Sequence, residues 1–291
     1  MQATTLRYEM VQTRGLTFEV ATHGTGDKLA LLLHGFPETA HCWRFQIALL
    51  ERLGYRVWAP NLRGYGRTDK PAGRAAYTMD KLEQDLTDLI DASGAREVTL
   101  VGHDWGGAVA WSYASFGARP LARLVIMNSP HPACFKRELA RGPQLLRSWY
   151  MLLFQLPWLP ERMIRAGNFR SIARTTRGWA VNKQNFSDAD MQVLFDGLAQ
   201  PGALTAMLNW YRAMPRSIPM ISKRGERKIR VPTLVLWGEQ DRALGKELTV
   251  GMERYVDELQ LEFVPNASHW VQQDAPEEVN RRLEAWLRAQ A

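Results

Sequence analysis

The chain has 291 residues, 46% hydrophobic and 23% charged, with two cysteines and a net charge of +7. Those proportions exclude a disordered chain and a disulfide framework, and no run approaches the ~18 uncharged apolar residues of a membrane span. The positive charge is uneven: residues 132–229 hold 16 Lys and Arg against 6 Asp and Glu, and the remainder is slightly acidic. Met1-Gln2-Ala3-Thr4-Thr5 lacks the basic-then-apolar plan of a secretory leader, so a cytoplasmic protein with Cys42 and Cys134 as free thiols is expected.

In chain order, Leu16-Thr17-Phe18-Glu19-Val20 alternates apolar and polar side chains and runs into Thr22-His23-Gly24-Thr25-Gly26, predicting an antiparallel edge strand and its turn. Near-continuous apolar runs follow at 29–33, 55–59, 98–101, 121–127, 233–237 and 259–264. Such runs suit strands buried on both faces, and the helix-like stretches between them predict an α/β fold with a mostly parallel sheet flanked by helices. Between Pro132 and Arg230 the strand pattern stops. That stretch is rich in Leu, Met, Arg, Trp and Ala and is broken at Pro157, Pro160, Pro201-Gly202 and Pro215, which predicts several short inserted helices. The expected organisation is a core of residues 1–131 and 230–291 carrying a helical cap at 132–229. The cap arginines are scattered among apolar residues without a nucleic-acid motif, so they read as a solvated helical face.

In a doubly wound sheet, ligands bind beyond the carboxyl ends of the strands. Chemistry-bearing residues fall there: His34-Gly35-Phe36-Pro37-Glu38 after the first long run, Asp104 after 98–101, Asp241 after 233–237 and His269 after 259–264. Gly102-His103-Asp104-Trp105-Gly106-Gly107 reads as a tight strand-to-helix turn, and the order Asp104, Asp241, His269 is that of the α/β-hydrolase nucleophile elbow with its acid and histidine. Serine is the usual elbow residue; aspartate changes the reaction. Its carboxylate attacks an electrophilic sp3 carbon to give an alkyl ester, which water must then cleave. His269, partnered by Asp241, is the expected base for that water, with the N–H groups of Phe36 and Trp105 as oxyanion donors. Glu239 is an alternative acid partner. His103 and His34 read as structural, and His131 as the exit into the cap.

These motifs resemble those of epoxide hydrolases of the α/β-hydrolase superfamily over nearly the whole chain. The family's His-Gly-X-Pro motif matches His34-Gly35-Phe36-Pro37, its Arg-Gly-Tyr-Gly turn matches Arg63-Gly64-Tyr65-Gly66, and its nucleophile motif matches residues 102–107. The resemblance implies that two cap tyrosines polarise and protonate the epoxide oxygen. Tyr150 stands in a matching Tyr-x-x-x-Phe-Gln context and Tyr211 in a matching Asn-Trp-Tyr-Arg. It further implies an epoxide and water as reactants; Trp105 and Ala108 favour a neutral, small and apolar one, the lack of a dinucleotide fingerprint, a P-loop and metal-spaced histidines predicts no cofactor and no metal, and the scattered arginines and short apolar runs predict no nucleic acid and no membrane insertion. Trp105, Phe36, Phe154 and Leu208 are expected to bind substrate, with Trp149, Leu153, Trp158, Trp179 and Met207 as further candidates for an apolar pocket.

Haloalkane dehalogenases resemble the chain in fold, in the aspartate and in the tryptophan after it, here Trp105. They often carry an Asn after His-Gly, where this chain has Phe36, and a departing halide leaves paired tyrosines without a task. Fluoroacetate dehalogenases carry arginines where Trp105 and Ala108 stand. A non-catalytic binding protein on the same fold is a third reading, weakened by the intact set of catalytic residue types.

Overall fold

The computed structural model describes residues 3–224 and 227–290. Eight strands form one sheet: β1 (Tyr8–Gln12), β2 (Thr17–His23), β3 (Lys28–Leu33), β4 (Arg56–Pro60), β5 (Glu97–His103), β6 (Arg123–Met127), β7 (Thr233–Gly238) and β8 (Leu259–Val264). Their spatial order is β1-β2-β4-β3-β5-β6-β7-β8, and only β2 runs against the others. The helices are α1 (Ile47–Arg52), α2 (Met79–Ser93), α3 (Trp105–Phe116), α4 (Pro132–Arg141), α5 (Pro143–Arg147), α6 (Trp149–Leu153), α7 (Leu159–Trp179), α8 (Asp188–Ala199), α9 (Ala203–Arg224), α10 (Val271–Asp274) and α11 (Pro276–Ala289).

Strand β3 explains why its sequence is a solid apolar run. Leu29, Leu31 and Leu33 face one core cluster, shared with α2, α3 and α9, while Ala30 and Leu32 face the other, shared with α1 and α11. Both faces are buried, so neither side of the pleat can be polar. The strand at 17–23 is antiparallel as expected but is not the edge, because β1 pairs outside it. Tyr8–Gln12 is exposed or half-buried throughout and carries no apolar run, which hid it from pattern reading.

Helices α4 to α9 lie between β6 and β7. Pro160 does not break a helix: it occupies the first turn of α7, where a missing N–H costs nothing. Nor does Pro215 end one, since α9 runs through it. The unpredicted break is inside α7, where Ala166 to Phe169 leave helical geometry and Gly167, Asn168 and Phe169 take positive φ. Polar contacts tie this insert to the core. Trp210 Nε1 donates to Arg63 O at 3.0 Å, Met79 N at the start of α2 donates to Ser217 Oγ at 3.1 Å, and the buried Asp274 carboxylate accepts from Val181 N, Asn182 N and Ser268 N.

Candidate active site

Asp104 occupies the single position between β5 and α3, with φ 50° and ψ −119°. Such a backbone costs about 1–3 kcal/mol and persists only where its surroundings impose it. They do so by close packing. A Cβ on Gly102 would lie 2.6 Å from Gly106 O, and one on Gly106 would lie 2.2 Å from Leu33 O, so α3 can seat against β3 and β5 only without those side chains. The turn presents the Asp104 carboxylate to the sheet's C-terminal edge. There Oδ1 accepts from Phe36 N at 2.8 Å, and Oδ2 lies 3.5 Å from His269 Nε2.

His269 is held from its other side. Its Nδ1 is 2.7 Å from Asp241 Oδ2, and Asp241 accepts in addition from Ala243 N, Leu244 N and Asn128 Nδ2 at 2.7, 2.8 and 2.8 Å. With three other donors on the acid, the remaining geometry requires His269 Nδ1 to donate. Glu239 instead faces Lys246 at 3.2 Å, so geometry pairs the histidine with Asp241. Asn128 escaped the sequence reading although it is fully buried, takes φ 38° and accepts from Gly238 N at 2.8 Å, fixing the end of β7 beside the acid. Its signal was a lone amide at the end of an apolar strand.

Two further histidines are structural in geometry. His34 bridges Gly35 O at 2.9 Å and Leu62 N at 3.0 Å, and burial pushes its pKa down to about 4, leaving it neutral. His103 faces Glu38 Oε2 and the His269 carbonyl, each at 2.8 Å, and so fixes the backbone that carries the reactive imidazole.

The electrostatics separate the groups. Burial works to raise the Asp104 carboxyl, but His269, and then His103 and the Phe36 N–H, outweigh it and hold the group below the ordinary carboxylate range. Burial likewise opposes charge on His269, but the Asp241 and Asp104 carboxylates raise it well above an ordinary histidine. Desolvation, reinforced by nearby Asp104, pushes both Tyr150 and Tyr211 far above an ordinary phenol. Both tyrosines therefore keep their protons at neutral pH.

Asp104, Trp105, Tyr150 and Tyr211 line one cavity of about 450 Å³, whose walls are otherwise mostly apolar and include Met79, Leu82, Phe135 and Met214. Tyr211 is fixed from several sides: its ring makes edge contacts with Trp105, Phe36 and Phe154 at centroid distances of 5.1, 5.3 and 5.0 Å. Its neighbour Trp210 packs on Tyr65 and hydrogen-bonds to Arg63, which gives the 63–66 turn its task.

Among the expected substrate-binding residues, Trp105 lines the cavity. Leu208 requires correction, because it is fully buried in the α9 packing and does not reach the cavity. Phe36 and Phe154 also stand outside the lining and serve as backing for the Tyr211 ring. Met207 is buried in the core, and Trp149 and Trp158 point to solvent.

A family model described as the α/β hydrolase fold matches residues 30–276. Over 288 residues the chain is 38% identical to epoxide hydrolase 3 of Xenopus tropicalis, covering 97% of this chain and 77% of the relative. The crystal structure of Bacillus megaterium epoxide hydrolase in complex with an inhibitor superposes with a TM-score of 0.86 at 29% identity, covering 97% of this chain and 100% of that one. The chain belongs to the epoxide hydrolase family of α/β hydrolases. Epoxide hydrolases are hydrolases acting on ether bonds. The chain is also 38% identical over 287 residues to the AB hydrolase superfamily protein YfhM of Bacillus subtilis, covering 98% and 99% of the two chains.

Proposed function

We propose that the chain hydrolyses apolar epoxides to vicinal diols through a covalent ester on Asp104, with residues 132–229 acting as a cap over the site. The observation that carries this reading is one cavity holding an ionised carboxylate on one wall and two protonated phenols among its other walls.

Asp104 Oδ2 attacks one epoxide carbon. The C–O bond breaks, its electron pair passes to the epoxide oxygen, and that oxygen takes a proton from Tyr150 or Tyr211. Oδ1 becomes the ester carbonyl oxygen while still on the Phe36 N–H, where negative charge develops in the next step. Ester formation removes one of the two carboxylates that hold His269 protonated. The imidazolium then returns a proton, by way of water, to the phenolate left by ring opening, and the neutral imidazole becomes the base for water. Water gives a proton to His269 and its hydroxide adds to the Asp104 carbonyl carbon; the Phe36 and Trp105 N–H groups stabilise the tetrahedral intermediate, whose collapse breaks the ester C–O bond, and the departing alkoxide takes the proton of the new Asp104 carboxyl to give the diol and the free carboxylate.

Purified protein assayed against matched panels of epoxides and haloalkanes, with Asp104→Asn as the blank, tests the reading. Diol formation without halide release is expected. Halide release without diol would assign the same carboxylate to dehalogenation, and silence on both panels would remove the proposal.

A further inference from the structure

The outer surface of the insert carries a feature the chemistry does not use. Of 13 exposed large hydrophobic side chains among the described residues, eight fall within residues 145–163. Leu146, Trp149, Leu152 and Trp158 are the most open, at 77, 62, 69 and 63% exposure. Isolated exposed leucines need no explanation, but this density along α5, α6 and the start of α7 does. The same segment is strongly basic. Residues 139–187 contain eight Arg and Lys and a single acid, Glu161, whose carboxylate is already paired with Arg212 at 2.7 Å; Arg141, Arg147 and Arg177 are paired with Glu138, Glu247 and Asp188, which leaves the other five as the cations of this face. Arg165, Arg170 and Arg174 are exposed and make no ion pair or hydrogen bond among the described residues, while Arg162 lies over the Trp158 ring at 5.9 Å. Beside the patch, Arg74, Arg162, Arg165 and Trp158 line a second cavity.

We infer that this face docks on an anionic lipid surface. Exposed Trp and Leu on short helices, rimmed by unpaired arginines, match what an interfacial segment needs: apolar side chains to enter the headgroup boundary and cations to meet lipid phosphates and carboxylates. Charge argues against a second copy of this chain as the occupant, because a self-complementary contact would bring the same uncompensated cations together. Nucleic acid fits less well, since Leu146, Leu152 and Leu156 have nothing to read on a phosphate backbone. No helix among the described residues is long and apolar enough to cross a membrane, so the mode is lying on the surface. Helix α6 links the patch to the cavity: Trp149 and Leu152 face outward, whereas Tyr150 lines the cavity. Apolar molecules dissolved in the lipid would thus be presented to the roof of the site.

The test uses the full chain and does not depend on its catalytic activity. Sedimentation is measured with sucrose-loaded vesicles of phosphatidylcholine alone and of phosphatidylcholine mixed with phosphatidylserine. Binding to the mixed vesicles, weakened by salt, is expected. Arg162→Glu with Arg165→Glu should weaken it by at least about tenfold, and Trp149→Ser with Leu152→Ser by roughly tenfold or more. Thermal melts of both variants should match the wild type, since all four side chains are solvent-exposed. Absence of vesicle binding, or equal binding to neutral vesicles, would overturn the inference. So would a concentration-dependent dimer, seen by analytical ultracentrifugation without vesicle binding and abolished by Trp149→Ser with Leu152→Ser, which would give the patch to a second copy.

Discussion

The floor and roof of the cavity are built in different ways. On the floor Asp104, and behind it Asp241 and His269, each follow a strand, and hydrogen bonds from neighbouring backbone groups, Asn128 or each other set their positions. In the roof, Tyr150 and Tyr211 stand on helices of the insert, and aromatic edges rather than a ladder of backbone bonds hold the Tyr211 ring. A sheet register is shared by many residues, so one substitution rarely moves it. Ring packing is local and tolerates adjustment. On the proposed scheme, attack and water activation rest on groups at strand ends, whereas the two acids of ring opening and part of the cavity wall rest on the insert.

Substitutions can break that division. His269→Gln removes the base from the floor and should lower steady-state turnover by about 10⁴-fold or more. The Asp104 ester should accumulate, detected as an intact-mass adduct with a competent epoxide; its absence there would remove the two-step scheme. In the roof, Tyr150→Phe combined with Tyr211→Phe should slow ring opening by roughly 10²–10⁴-fold. Each single change should cost far less, because one phenol remains. Unchanged single-turnover rates in the double variant would reduce the tyrosines to pocket walls.

Smaller effects sharpen the comparison. Asn128→Ala strips a donor from Asp241 and an acceptor from Gly238 N, both buried, and should destabilise the fold by about 2 kcal/mol, read as a fall in denaturant midpoint. The smallest expected change is in pH dependence. Asp104 must be ionised to attack, and its pKa lies below the ordinary value of about 3.9. The rate of ester formation in the wild type, followed by rapid quench, should therefore hold as pH falls to about 4, decreasing only below it. A midpoint near pH 5 would contradict the hold that His269 and Phe36 are argued to have on the carboxyl. The same depression makes the Asp104 contribution to stability present above about pH 3.9 and lost as pH falls through its folded value.

The floor was legible in the sequence because each of its residues follows an apolar run with a glycine-marked or polar turn, and parallel strands place all such ends on one edge. Asn128 was not, since an amide at a strand end looks like any loop residue until its partners are known. Strand β1 was hidden by its exposure. In the roof, Tyr150 and Tyr211 came from matched motifs rather than from helical periodicity. That limit explains Leu208: on α9 a buried leucine facing the core and one facing the cavity have the same pattern, and only packing separates them. Trp149 and Trp158 show the reverse, large apolar residues expected inside and found facing water.

The insert leaves the sheet after Met127 and returns at Thr233, and β6 and β7 are adjacent, with Leu124 beside Thr233 and Met127 beside Leu236. Its two points of attachment thus lie on neighbouring strands but at opposite edges of the sheet, since the strands are parallel and Thr233 pairs with Leu124 rather than Met127. Exchanging everything between them for the corresponding piece of a relative leaves strand pairing untouched, provided that partners for the Arg63 carbonyl, Met79 N and Asp274 travel with the graft. On the proposed scheme such a graft would keep the carboxylate and histidine in place and exchange the two tyrosines and much of the cavity wall, so a lineage could acquire a new diet by replacing the roof only if the new roof brings its own acids.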